Sequence, residues 1–510
     1  MKNIRLLIVL VVVLFGGCKS REELRHEAYL KQGENLAKVY CATCHMESKP
    51  ALLDKKTWLF KVLPKMGPRL GMHYYRGLPH PSMNPMLVPK QPAMEQGQWE
   101  SIVDYFLETS PTSLELQNFD VEPNPKGKTF SVRPFTKDIS SSSIITLLDL
   151  DTLRKNVFAG DVNNNILYQM DYSGELMDTV QLPSPPTSMS FGYDYVDLTL
   201  AGLLHPNNLD RGEIIRYQYE GNFRHQPAKP IISSLFRPVA SLAVDFNYDG
   251  RTDYLVCEYG HNIGRLSIHL STNDSLYKHE IIENVPGSIM VKTHDFNKDG
   301  LIDIAALFAQ GDEKIMIYYN DGEGNFRGNL KLVARFPSVY GSMYIDLEDF
   351  NGDGYMDIIY VNGDNFDYSQ ILKPYHGIRI LENDGGDNFE QKYFYPIYGA
   401  GKSICKDFDL DGDFDILVSS NFADMEKNPE RGIIYLENTG DYVFTPFSFE
   451  ESAQNQWNTM TSADFDGDGD VDVLIGAMNL DNVLKNQNSK SEDDMDLDKN
   501  ALLIFENKTN

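Results

Sequence analysis

A nine-residue pattern, D-F-[ND]-x-D-G-x-x-D, occurs five times in this 510-residue chain, and its period of about 50 residues constrains the fold more than any other feature. The copies are Asp245-Phe-Asn-Tyr-Asp-Gly-Arg-Thr-Asp253, Asp295-Phe-Asn-Lys-Asp-Gly-Leu-Ile-Asp303, Asp349-Phe-Asn-Gly-Asp-Gly-Tyr-Met-Asp357, Asp407-Phe-Asp-Leu-Asp-Gly-Asp-Phe-Asp415 and Asp464-Phe-Asp-Gly-Asp-Gly-Asp-Val-Asp472. Each is followed by a short β-rich run, such as Ile358-Ile-Tyr-Val or Val473-Leu-Ile-Gly, so the loops join strands. Further strands end at Met316-Ile-Tyr-Tyr-Asn-Asp, Ile378-Arg-Ile-Leu-Glu-Asn, Ile433-Ile-Tyr-Leu-Glu-Asn and Leu502-Leu-Ile-Phe-Glu-Asn, and each unit offers about four strands. Two weaker copies, with starts taken at Asp149 and Asp194, extend the series to intervals of 45, 51, 50, 54, 58 and 57. Seven starts predict an all-β propeller of seven blades, whose sheets bury their faces against neighbours and so close in a ring. The last unit reaches only its third strand at Phe505-Glu-Asn507, and Thr129–Phe135 is expected to return as its fourth, removing an exposed edge.

The loops also carry chemistry. Side-chain oxygens at positions 1, 3, 5 and 9, a backbone carbonyl at 7 and a glycine at 6 make the oxygen cage that a hard cation such as Ca²⁺ requires. The candidate ligands are Asp245, Asn247, Asp249 and Asp253; Asp295, Asn297, Asp299 and Asp303; Asp349, Asn351, Asp353 and Asp357; Asp407, Asp409, Asp411 and Asp415; and Asp464, Asp466, Asp468 and Asp472. An EF-hand would close with Glu at position 12, where this chain has Val256, Ala306, Tyr360, Val418 and Ile475. The two weaker copies lack a full donor set and are assigned no metal. Up to five Ca²⁺ would offset part of the net charge of -28, and that acidity argues against a nucleic-acid partner.

With these loops, the region 129–510 resembles the FG-GAP or VCBS repeat family, whose propellers are similar to the integrin α-subunit head. The resemblance implies structural Ca²⁺ in the loops and a role in binding a protein or polysaccharide ligand, although a propeller fold by itself does not determine function.

Cys41-Ala-Thr-Cys-His45 is the C-x-x-C-H pattern of covalent c-type haem attachment. Its two thiols are spaced to add to the two vinyl groups of one porphyrin, and the adjacent imidazole is delivered to the iron. Cys41 and Cys44 are therefore the expected thioether links and His45 the proximal ligand. A zinc site would want more Cys or His nearby, and a redox pair does not need the His. Gly33, Leu36, Ala37 and Tyr40 share one face of a helix entering this motif, and Trp99, Ile102, Val103 and Phe106 repeat the helical period downstream. The segment Glu22–Glu108 resembles a small class I cytochrome c. That likeness implies crossed terminal helices with a close approach at Gly33 to Trp99 or Tyr105, and a methionine as sixth iron ligand. Met66, placed in a turn after a helix Trp58–Lys65, and Met86, in a Pro-rich loop, rank together ahead of Met72, Met83 and Met94, with His73 and His80 as the bis-His alternative.

The N-terminus predicts export: Met1–Arg5 is basic, Leu6–Phe15 apolar, and Gly16-Gly17-Cys18 follows, which resembles a bacterial lipobox with Phe15 in place of the usual Leu. Cys18 would then be lipidated and tether the chain to a membrane, and the acidic residues shortly after it are similar to the surface-export tag of Bacteroidota lipoproteins. Plain signal cleavage is the alternative. Cys257 and Cys405, the remaining cysteines, are expected as buried strand thiols, with no disulfide framework.

The expected organisation is a signal peptide at 1–17, an all-α cytochrome c domain at 18–110, a Pro-rich linker at 111–128 and the propeller at 129–510. The leading reading is an exported single-haem electron carrier, lipid-anchored to the bacterial outer membrane on its periplasmic or outer side. It would serve an unidentified redox partner and carry a Ca²⁺-stabilised binding propeller. One alternative is a propeller dehydrogenase of a sugar or alcohol that passes electrons to the haem. Another is an adhesin-like surface protein with a haem sensor. No nucleophile, base and oxyanion set stands out, so no catalytic residue is assigned.

Overall fold

The computed structural model describes residues 19–80, 87–116, 122–123, 129–223, 229–273, 276–366, 368–478 and 499–509. Contacts divide the chain into two units, Met1–Leu114 and Glu115–Asn510, each described by itself. The signal segment, Cys18, Met83, Met86 and most of the acidic stretch 489–500 lie outside the described residues.

The first unit is built on two helices, Arg21–Tyr40 and Gln96–Thr109. Ser20 opens the first with a capping box: its hydroxyl accepts from the Glu23 N–H, and the Glu23 carboxylate accepts from the Ser20 N–H. The second buries Trp99, Ile102, Val103 and Phe106, the four positions expected from its periodicity. The helices meet at Gly33, where a Cβ would run into the Ser101 carbonyl oxygen and lie 2.9 Å from the Tyr105 Cβ. The expected close approach is present with Tyr105; Trp99 is not part of it. Gly33→Val is therefore expected to cost about 1–3 kcal/mol by overpacking, read as an earlier loss of helical circular dichroism on urea titration.

Between these helices the sequence expectation is corrected. Asp54 caps a helical start at Lys55–Thr57, a π-helical turn spans Trp58–Val62, and an α-helix runs over Leu63–Arg69, so Met66 lies within a helix and not in a turn. The π turn explains why Pro64 does not end the run. Pro64 has no N–H to give in an ordinary register, and in the wider turn the Leu63 N–H already bonds the Trp58 carbonyl.

The second unit is the seven-bladed propeller. Six blades contribute four consecutive antiparallel strands each, starting at Ile145, Pro186, Pro238, Ser288, Ser342 and Ala400. The first strands neighbour one another around the ring. In blades 3 to 7 the second strands, Asp253–Glu258, Asp303–Phe308, Asp357–Asn362, Asp415–Ser420 and Asp472–Ala477, are buried at all six positions, because neighbouring blades cover both faces. Cys257 and Cys405 are buried free thiols within this packing, as expected.

Blade 7 has three strands of its own, ending at Leu502–Asn507, and Phe130–Pro134 supplies the fourth, with Val132 opposite Phe505 and Phe130 opposite Asn507. The predicted closure is thus observed. An unforeseen piece precedes it: Glu122–Pro123 pairs in parallel with Phe447–Ser448, so part of the expected linker 111–128 belongs to blade 6. Nothing in a Glu-Pro dipeptide announces an edge strand. The two weak repeat starts also shift. Asp149 lies inside the first strand Ile145–Asp151, and Asp194 lies in the turn before Tyr195–Leu200, beyond the end of Pro186–Phe191. Without the Asp-loop motif there was no landmark to set the register, although the blade count is unchanged. No helix among the described residues is long and apolar enough to cross a membrane.

Candidate functional site

Each Asp loop begins where the first strand of its blade ends, and its own backbone folds the acidic side chains inward. In blade 3 the Asp245 carboxylate accepts from the N–H groups of Asp249 (3.1 Å) and Gly250 (2.8 Å). Asn247 Oδ1 accepts from the Asp249 N–H, and Asp249 accepts from the Arg251 N–H. The same ladder recurs from Asp295, Asp349 and Asp407, and in a shortened form from Asp464, which takes the Gly467 N–H at 2.7 Å. The glycine at position 6 is left-handed throughout, with φ between 81° at Gly250 and 101° at Gly412. Position 4 is left-handed too, including the non-glycine residues Tyr248, Lys298 and Leu410. The signal for this was present in Gly352 and Gly467, which occupy position 4 in the other two copies.

Position 9 has a structural task that the motif alone did not reveal. Asp253, Asp303, Asp357, Asp415 and Asp472 are fully buried. Each accepts one backbone N–H from the Phe at position 2 of its loop and another from the third strand of its blade: Ser271, Asn320, Asn383, Asn438 and Asn507, at 2.7 to 2.9 Å. Burial pushes the carboxyls of Asp303, Asp357 and Asp472 up to about 6 and that of Asp415 to about 7. Two of the strand-ending Asn residues also tie blades together: the Asn320 amide donates to the Phe246 carbonyl and the Asn507 amide to the Phe408 carbonyl, each in the preceding blade, whereas the Asn383 and Asn438 amides donate within their own blades. The repeated Asn at these strand ends was the available signal.

In the two loops that carry Asp at position 3, three carboxylates come together. Carboxylate oxygens of Asp407, Asp409 and Asp411 lie within 4.8 Å of one another, as do those of Asp464, Asp466 and Asp472. In blade 6 Asp415 stands outside its trio and accepts instead from the Tyr435 hydroxyl at 2.8 Å. Clustered carboxylate oxygens on a preformed loop fit a hard divalent cation. In blade 3 the Arg251 guanidinium sits on Asp249 and competes for that place.

In the first unit the helix Arg21–Tyr40 passes directly into a 3₁₀ turn, Cys41–Thr43. Cys44 is exposed and Cys41 half-buried, both as free thiols, and burial pushes the Cys41 thiol up to about 11. His45 Nδ1 donates to the Met46 carbonyl at 2.8 Å, leaving Nε2 as the nitrogen with an available lone pair. Met66 is half-buried, and Met72 and Met94 are buried. His80 Nδ1 bonds the Pro64 carbonyl at 3.2 Å, while His80 Nε2 and Trp99 Nε1 are buried without a hydrogen-bond partner. Two thiols three positions apart and an imidazole with an available nitrogen are, by their chemistry, the donor set a covalently held porphyrin would use.

Comparison with known proteins bears on the propeller. Residues 295–360 and 407–475 match the FG-GAP-like repeat, each match running from one Asp loop through the next. The propeller carries FG-GAP-like repeats. The matched FG-GAP spans contain four of the five loops, those of blades 4 to 7, and leave the Asp245 loop outside. Among solved structures, the chain is similar to the Neurospora crassa Pan2 WD40 domain, with 9% identity, a TM-score of 0.46 and coverage of 76% of this chain and 98% of that one. It is also similar to the N-terminal domain of Nup159, with 11% identity, a TM-score of 0.38 and coverage of 77% and 99%. No curated protein matches the sequence.

Proposed function

We propose that this chain is an exported c-type cytochrome fused to a Ca²⁺-stabilised FG-GAP propeller that binds a ligand or partner. The observation that carries the reading is the Cys41-Ala-Thr-Cys-His45 motif, seated at the end of a helix whose Gly33 packs against the helix bearing Trp99. When bound, the haem supplies one-electron exchange with a redox partner. The chain's own residues do the rest: Cys41 and Cys44 fasten the porphyrin, and His45 offers Nε2 with its ring set by the bond to Met46. The packed helices keep that turn in place. Met66 and Met86 remain the candidates for the sixth ligand on the sequence ranking. The Asp407 and Asp464 loops offer three clustered carboxylates each to Ca²⁺, and Arg251 on Asp249 makes the Asp245 loop the weakest. Lipidation at Cys18 would hold the molecule at a membrane.

Cytochrome maturation in a host that attaches haem c tests the site residue by residue. Cys41→Ala and Cys44→Ala are each expected to leave haem held by a single thioether or lost, and His45→Ala to change the spectrum of any retained haem. A His45→Ala protein with a wild-type spectrum would remove His45 from the assignment.

A further inference from the structure

A cavity of about 280 Å³ opens on the first strands of blades 5, 6 and 7, toward the axis of the ring, lined among others by Tyr344, Asp346, Lys402, Met460, Thr461 and Ser462. Its charged groups are unequally matched. Lys292 pairs with Asp346 at 2.7 Å and donates to the Tyr344 hydroxyl at 3.1 Å, and Lys406 pairs with Glu348 at 3.4 Å. Lys402 has no carboxylate at ion-pair distance among the described residues. Its ammonium donates to the Met460 carbonyl at 2.8 Å and stands 5.4 Å from the centre of the Tyr344 ring. The opposite charges acting on it are Asp346, already paired with Lys292, and Asp149 on the first strand of blade 1, whose carboxyl burial pushes up to about 6. An ammonium that loses part of its hydration without an ion-pair partner costs free energy, and here burial and the charge of Lys292 lower the half-buried Lys402 to about 8. A charge kept at such a cost beside a polar cavity is accounted for if an anion enters the cavity. Around Lys402 the wall offers the hydroxyls of Tyr344, Thr461 and Ser462, and the volume is below that of a drug-sized pocket.

We infer that this axial cavity binds a monosaccharide-sized oxyanion, a sugar acid or a sugar phosphate, with its anionic group on Lys402 and its hydroxyls toward Thr461, Ser462 and Tyr344. The inference is independent of the haem reading and gives the binding role of the propeller a chemical class.

The test uses the full chain with Ca²⁺ in excess, titrated calorimetrically with D-glucuronate, glucose 6-phosphate, inorganic phosphate and neutral D-glucose. Binding of glucuronate or glucose 6-phosphate is expected, with glucose at least tenfold weaker; which of the two binds separates a carboxylate from a phosphate ligand. Lys402→Met should weaken that binding at least tenfold. The same variant without ligand should melt no lower than wild type, since it removes a half-buried charge that has no ion-pair partner. Absence of binding by both sugar oxyanions would overturn the proposal. So would equal binding by glucose, or affinity unchanged in Lys402→Met. Binding of inorganic phosphate alone would overturn the sugar component. A Lys402→Met protein that melts below wild type would assign the ammonium to its Met460 bond as a structural brace and overturn the proposal as well.

Discussion

Phe130→Ala is expected to destabilise the propeller by about 3–5 kcal/mol, the cost of emptying a large aromatic site in a packed core. Phe130 is 1% exposed on the strand that completes blade 7. Its ring meets those of Phe408 at 5.1 Å, Tyr435 at 5.3 Å and Phe505 at 6.0 Å, so it joins blade 6 to blade 7 at the closure of the ring. Arg133→Ala on the same strand is the matched control. Arg133 pairs with Glu506 near the surface, and such a pair contributes about 0–1 kcal/mol. Urea unfolding of both variants checks the closure: similar small losses would mean that the Phe130–Pro134 strand does not lock the ring.

Removing Ca²⁺ is the second large perturbation. A ligand held at 100 times its dissociation constant contributes about 2.7 kcal/mol per site. Several loaded loops together would therefore dominate the stability of the propeller, and chelation should lower its melting temperature steeply while leaving the helical unit in place. The pH dependence follows from the buried carboxyls at position 9. The folded-state values of Asp303, Asp357, Asp415 and Asp472, about 6 to 7, lie above those of the unfolded chain, so the native state holds more protons through the window between about pH 4 and pH 7. In chelated protein these groups make the propeller less stable as pH rises through that window. Ca²⁺ needs the ionised carboxylates and opposes the trend. The gap between the Ca²⁺-loaded and chelated melting curves should accordingly widen from pH 5 to pH 8; a gap independent of pH, or no gap, would mean that these loops hold no structural cation.

The propeller was legible from its repeats because the Asp loops set both period and register. Blades 3 to 7 therefore fell where expected, and the missing fourth strand of blade 7 pointed to Thr129–Phe135. Register failed in blades 1 and 2, where Asp149 and Asp194 stand in for a motif that is absent. The Glu122–Pro123 edge was hidden because its two residues have no β pattern of their own. In the helical unit, the apolar period of Trp99, Ile102, Val103 and Phe106 and the small residue at Gly33 identified the packed face. The π turn that carries Leu63-Pro64 past its missing donor was hidden, because proline normally signals an end. At the loops the donors were plain from spacing, whereas the second task of the position 9 aspartates depends on partners up to 35 residues away in sequence, such as Asn507 for Asp472. Lys402 had no sequence signal, because its isolation arises only when the first strands gather around the axis.

The most direct test of the account is to express the chain with a cytochrome c maturation system and to record the pyridine haemochrome spectrum of the denatured, solvent-extracted protein. The account predicts one haem per chain that stays with the polypeptide, absorbs at the position of a c-type haem, and cycles between ferricyanide and dithionite. Protein that retains no haem after extraction, although the host matures a known c-type cytochrome in parallel, would contradict it.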